Sequence, residues 1–138
     1  MASILIIDDD ASLRRLLRAA LEGAGYQVAE AADGASGLAA YRQRAANLVL
    51  CDIVMPDREG LETIRELRTR YSGVPIVAMS GGAAGYAMDF LPVAAKLGAS
   101  ATLHKPFSLH ALLGTVGDLL GREEARADDP PSRRNHPG

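Results

Sequence analysis

Short apolar runs that end in a polar or charged side chain constrain the fold of this chain more than any other feature. Ile4, Leu5, Ile6 and Ile7 lead straight into Asp8, Asp9 and Asp10, and later runs end in Asp52, Ser80 and Lys105. A strand that stops in a polar group, repeated along a chain, describes a site built on one edge of a sheet. In open parallel α/β sheets, ligands bind in the crevice outside the carboxyl ends of the strands, so these endings should converge. Carboxylates crowded there repel one another unless a cation lies among them. The pattern points to a hard divalent metal and to an aspartate reacting beside it.

Between these endings the chain alternates two periods. Ser3 to Ile7, Gln27 to Ala31, Asn47 to Cys51, Val74 to Met79 and Ala101 to His104 are short and mostly apolar or β-branched, as expected of strands buried on both faces. Leu13, Leu16, Leu17, Ala20 and Leu21 recur at helical spacing, with Gly23 and Gly25 as left-handed positions that can end the helix. A second, less patterned helix falls between Gly34 and Ala45. Leu61, Ile64 and Leu67 mark a third, and Phe90 to Leu97 a fourth whose Pro92 fits a first turn. Leu109, Leu112, Leu113, Val116 and Leu120 mark a last helix that Ser108 can cap. Strands alternating with helices imply a doubly wound α/β domain over residues 1–121, its parallel sheet covered on both faces. Residues 122–138 carry arginines, acids and three prolines but no aliphatic larger than alanine, which predicts a disordered polar tail.

Charge and composition exclude several function classes. The formal net charge is −2 and the pI about 5.9, so no electrostatic attraction to nucleic acid or membrane is expected. No apolar stretch approaches the roughly 20 residues of a membrane span, and the start lacks the features of a signal peptide, which predicts a cytoplasmic protein. Cys51, the single cysteine, lies inside an apolar run and reads as a buried small hydrophobe.

The strand endings carry the chemistry. Magnesium favours hard oxygen ligands, which Asp8, Asp9 and Asp52 offer, whereas the imidazoles and thiolates that zinc favours are missing from these endings. An aspartate carboxylate attacks phosphorus to give an acyl phosphate once the incoming charge is neutralised, and Asp52 ends the central apolar run. Lys105 supplies a cation and Ser80 a hydroxyl donor, the groups phosphoryl transfer asks for. Asp10 reads as the cap of the first helix. Arg14, Arg15 and Arg18 suit either a solvated helix face or an acidic partner, and His104 should point away from Lys105 by strand alternation.

From Ala2 to Leu120 the chain resembles a response regulator receiver domain of two-component signalling. The motifs are Ile-Ile-Asp-Asp-Asp at 6–10, Cys-Asp-Ile-Val-Met-Pro-Asp-Arg-Glu-Gly at 51–60, Met-Ser-Gly at 79–81 and His-Lys-Pro-Phe at 104–107. The resemblance implies a flavodoxin-like five-stranded sheet in the order 2-1-3-4-5 and a stand-alone, chemotaxis-type receiver that takes a phosphoryl group from a histidine kinase or phosphotransfer protein. It also implies that Asp52 is the phosphoacceptor and that Asp8, Asp9, Asp52 and the Val54 carbonyl hold Mg2+. By the same resemblance Ser80 and Lys105 contact the phosphoryl group, Ser80 and Thr102 occupy the switch positions, and the Lys105–Pro106 bond is cis. Such a protein catalyses only its own phosphorylation and dephosphorylation.

Two departures from the family pattern stand out. Thr102 occupies a position where many receivers have an aromatic ring, with Tyr86 and Phe90 as possible substitutes. The loop from Gly81 to Asp89 is glycine-rich and long, and is expected to carry most of the switching response. At the two positions that influence water access in relatives, Val54 cannot position a water whereas Gly82 leaves the approach open, and slower self-dephosphorylation is expected than in receivers with an amide at the first position. The missing aromatic leaves open a phosphorylation-independent adaptor that keeps the fold, although the intact acids, Ser80 and Lys105 argue against it. A phosphatase with an aspartyl nucleophile would commonly need a second acid where Val54 stands, and a flavin-binding flavodoxin a phosphate loop where this chain has acids.

Overall fold

In the computed structural model, residues 2–53, 59–81 and 91–128 are described. Val54, Gly82, Tyr86, Phe90 and most of the long glycine-rich loop lie outside them, as do residues 129–138. The apolar runs form β1 (Ser3–Ile7), β2 (Gln27–Ala31), β3 (Leu48–Asp52), β4 (Ile76–Gly81) and β5 (Ala101–Lys105). Between and after them come α1 (Ala11–Gly23), α2 (Gly34–Gln43), α3 (Glu59–Arg70), α4 (Leu91–Leu97) and α5 (Leu109–Asp128). All strand pairs are parallel, in the order β2-β1-β3-β4-β5 expected of a flavodoxin-like sheet.

Strand parity divides the core into two layers. Leu5, Ile7, Val49, Cys51, Ile76 and Ala78 pack with Tyr41 of α2, Ile64 and Leu67 of α3 and Ala94 of α4. Ile4, Ile6, Leu48, Leu50, Val77, Met79 and Leu103 pack with Leu17 and Leu21 of α1 and Leu112, Val116 and Leu120 of α5. Every residue of β3 is buried, so its continuous apolar run, with no polar alternation, is what a central parallel strand requires.

Local chemistry sets the element ends. Asp10 caps α1, accepting from the Ser12 and Leu13 amides, and Ser108 Oγ accepts from the Ala111 amide at 3.0 Å to open α5. Gly25, at φ 98°, supplies the left-handed residue after α1, while Gly23 remains in its last turn. β4 begins at Ile76 and not at Val74, because Pro75 has no N–H to give the ladder. α2 stops at Gln43, short of Ala45. α5 continues past Gly121 to Asp128, where the sequence reading begins a disordered tail. Arg122, Glu123, Glu124, Ala125 and Arg126 are strong helix formers, and the first helix-breaking proline is Pro130.

At the edge of the sheet away from the strands' carboxyl ends, Arg68 joins three segments. Its guanidinium donates to the Gly98 carbonyl from Nε (3.0 Å) and Nη2 (2.8 Å), to the Ser72 carbonyl (2.8 Å) and to Ser100 Oγ (3.3 Å). Ser100 Oγ in turn accepts from the Ile76 amide at 3.1 Å. Gly98 takes φ 122°, and a Cβ there would come within 2.6 Å of Arg68 Cγ, so the stem and the glycine also fit by shape. Arg68→Met retains an apolar stem and removes every donor. Urea unfolding should show a loss of about 1–3 kcal/mol, because the carbonyls of Gly98 and Ser72 lose charge-assisted partners.

Candidate functional site

The register of the sheet brings the strand endings together. Ile7 pairs with Cys51 and Asp52 with Met79, so Asp8, one residue past β1, comes level with Asp52. Ser80 lies one step further along β4, and Lys105 pairs with Gly81 one step beyond that. By parity Asp8, Asp52 and Lys105 follow the side chains that face α1 and α5, whereas Ser80 follows those that face α3 and α4.

Asp8 is fully buried, Asp52 is 3% exposed, and Asp9 stands in solvent. One oxygen from each of these three carboxylates lies within 4.8 Å of the others. Lys105 reaches back along its strand to place Nζ 3.0 Å from Asp8 Oδ2 and 3.6 Å from Asp52 Oδ2. A long, flexible stem makes that reach possible. The Asp8 amide donates to the Ala31 carbonyl at 3.1 Å, and Asp8 Oδ1 accepts from the Asp10 amide at 2.9 Å. The donors are oxygens alone, two buried and one open to solvent, which suits a hard divalent cation better than zinc.

Ser80 is 4% exposed near the end of β4. Thr102 is exposed and pairs with Ala78, which puts it on the same sheet face as Ser80. The Lys105–Pro106 peptide is cis. His104 is exposed, as strand alternation requires. The Val54 carbonyl lies outside the described residues.

Three contributions were not legible beforehand. Arg14 is turned inward, off a purely solvated face: its Nη1 donates to the Asp8 carbonyl at 2.6 Å and its Nε to Glu30 at 3.0 Å. Glu30, opposite Ile6 in the register, is a charge inside a strand run, and that anomaly was the available signal. Gly60 packs so close beneath β3 that a Cβ there would overlap the Asp52 carbonyl oxygen and Ile53 Cα.

Comparison with known proteins decides the family: the response regulator receiver domain model matches residues 4–117. This chain is a member of that family. It is 37% identical over 131 residues to the KDP operon transcriptional regulatory protein KdpE of Escherichia coli, covering 94% of this chain and 56% of that protein. It is 38% identical over 117 residues to the transcriptional regulatory protein ZraR of Klebsiella oxytoca, covering 85% of this chain and 26% of that protein. The receiver thus spans between a quarter and about half of the length of these curated relatives. Among solved structures, a CheY-like response regulator receiver domain protein from Methanospirillum hungatei superposes with a TM-score of 0.82 at 31% identity, covering 91% of this chain and 98% of that one. The receiver domain of NtrX from Brucella abortus gives 0.78 at 30%, covering 86% and 98%.

The close approach at Gly60 makes a sharp test of how the receiver holds its central aspartate. In Gly60→Ala, the first turn of α3 and the Asp52 backbone must move apart. Overpacking of this kind costs about 1–3 kcal/mol in urea unfolding, and phosphorylation of the variant by acetyl phosphate should be slower than that of the native chain.

Proposed function

We propose that Asp52 accepts a phosphoryl group from the phosphohistidine of a histidine kinase or phosphotransfer protein, and that the acyl phosphate switches a partner-binding surface. The observation that carries this reading is the convergence of three carboxylates with Lys105, which reaches both Asp8 and Asp52. In this reading an Asp52 oxygen attacks phosphorus, the P–O bond forms as the donor's P–N bond breaks, and the imidazole leaves. Lys105 offsets negative charge on the incoming group, and the Ser80 hydroxyl donates to one of its oxygens. Asp8, Asp9 and Asp52, with the Val54 carbonyl, would hold Mg2+, which when bound neutralises charge on the phosphoryl oxygens.

Ser80 and Thr102 occupy the switch positions. Thr102 is too small to fill the space a ring would fill, so movement at Ser80 is the main route outward. The chain's only catalysis in this scheme is its own phosphorylation and dephosphorylation. The encounter belongs in the cytoplasm, where ATP-dependent kinases make phosphohistidine; among the described residues no helix is long and apolar enough to cross a membrane. Direct contact with nucleic acid forms no part of the proposal, given the net charge of −2. Intact Asp8, Asp9, Asp52, Ser80 and Lys105 tell against a phosphorylation-independent adaptor.

Acetyl phosphate tests the scheme without a kinase. With Mg2+ the intact chain should gain the mass of one phosphoryl group. Chelator should abolish the gain, and so should Asp52→Asn. A full-yield adduct in chelator would remove the metal from the mechanism, and an adduct on Asp52→Asn would remove Asp52 as acceptor.

A further inference from the structure

The three carboxylates are not held equally. Asp8 is fixed by its amide, its two carboxylate oxygens and its carbonyl, to which Arg14 Nη1 donates at 2.6 Å. Among the described residues the Asp9 carboxylate has no hydrogen-bond partner, so its aim depends on the backbone that carries it. That backbone is two peptide groups. The one before Asp9 is held at the Asp8 carbonyl by Arg14, and the one after it at the Asp10 amide by Asp8 Oδ1 at 2.9 Å. Loss of either bond frees a peptide plane to rotate and swings the exposed carboxylate away from the other two.

Arg14 is itself aimed. Its Nε donates to Glu30 Oε1 at 3.0 Å, while Arg18 Nη1 takes the other carboxylate oxygen at 2.8 Å and Arg18 Nε reaches Glu22 at 3.2 Å. The Arg14 side chain is 17% exposed against 42% for Arg18, so the inner pair is the better shielded. The hydrogen bond from Arg18, aided by that from Arg14, keeps Glu30 below the usual carboxylate range despite its partial desolvation. Glu30 is therefore ionised at neutral pH. Its charge offsets that of Arg14, which leaves the geometry of the fork, and not a bare positive charge, as what Arg14 brings to the cluster.

We propose that Arg14, aimed by Glu30, is a positioning residue for the divalent-cation site, holding the Asp8–Asp9 peptide so that Asp9 joins Asp8 and Asp52 around one ion. The inference rests on the receiver reading and deepens it. Only an arginine fork serves Asp8 and Glu30 at once, so lysine is not an equivalent replacement. Partners of this kind, one shell outside a metal's ligands, commonly change affinity ten- to a hundredfold.

Isothermal titration of the full chain with MgCl2, without phosphodonor, separates the possibilities. Arg14→Met and Arg14→Lys should each weaken Mg2+ binding about tenfold, and Glu30→Ala several-fold. Arg18→Met, which breaks the outer ion pairs and leaves the Arg14–Asp8 bond, should bind within about twofold of the native chain even where its urea midpoint falls. Native affinity in Arg14→Lys would show that charge alone suffices and overturn the proposal, as would native affinity in Arg14→Met or a loss in Arg18→Met equal to theirs. If Arg14→Met fails to fold, Arg14→Lys and Glu30→Ala carry the same comparison. A native chain that binds no Mg2+ would sink the receiver reading and this inference with it, whereas native binding with an unchanged Arg14→Lys sinks the inference alone.

Discussion

Two carboxylates that water hardly reaches, Asp8 and Asp52, end adjacent parallel strands, and like charges so placed are costly unless compensated. Lys105 provides compensation from β5, two strands away from Asp52 across β4, and so ties the ends of β1, β3 and β5 to one another. The Asp10 amide adds a further donor to Asp8. This arrangement leaves the cluster still acidic overall, with three carboxylates against one lysine. A folded chain with that surplus is prepared for more positive charge, and the open side of the site is the side of Asp9.

The division of the sheet into two faces gives the site its reach. Asp8, Asp52 and Lys105 share the parity of the layer that packs on α1 and α5, while Ser80 and Thr102 share that of the layer on α3 and α4. A phosphoryl group on Asp52 that also engaged Ser80 would draw on both layers at once. No helix on one face could respond to it without the strand ends that both faces share. His104, next in sequence to Lys105, pairs with Ser80 in the register and so points to the face opposite that of Lys105.

Much of this was legible in the sequence because it depends on position along strands. Apolar runs ending in Asp8, Asp52, Ser80 and Lys105 announce a shared edge, and the register then decides how level those endings lie. Asp10 and Ser108 read as caps from their type and place alone. What could not be read depends on contacts distant in sequence. Arg14 looks like one of several helix arginines until Glu30 of β2 is seen to aim it inward, and the sequence gives Gly60 no packing role until α3 is seen to rest on the Asp52 carbonyl. Arg68 gave no signal, since its partners lie in two loops brought together by the fold. The run of α5 to Asp128 is hidden for another reason: a polar composition without large aliphatics masks the helix propensity of its residues.

The Arg68 contacts anchor the C-terminal end of α4, the short helix whose Ala94 lies in the core. Its C-terminal turn is tied through Gly98 and Ser100 to α3 and to the start of β4, while its first residues adjoin the segment that leaves β4 after Ser80. A movement passed on from Ser80 would therefore reach α4 at the end opposite this anchor. An element held near Gly98 and displaced at its other end would move more in its first turn, which holds Val93, than at its C-terminus. Val93 is one of the few large apolar side chains exposed among the described residues, so a small rotation would be read out as a change in where that apolar surface points.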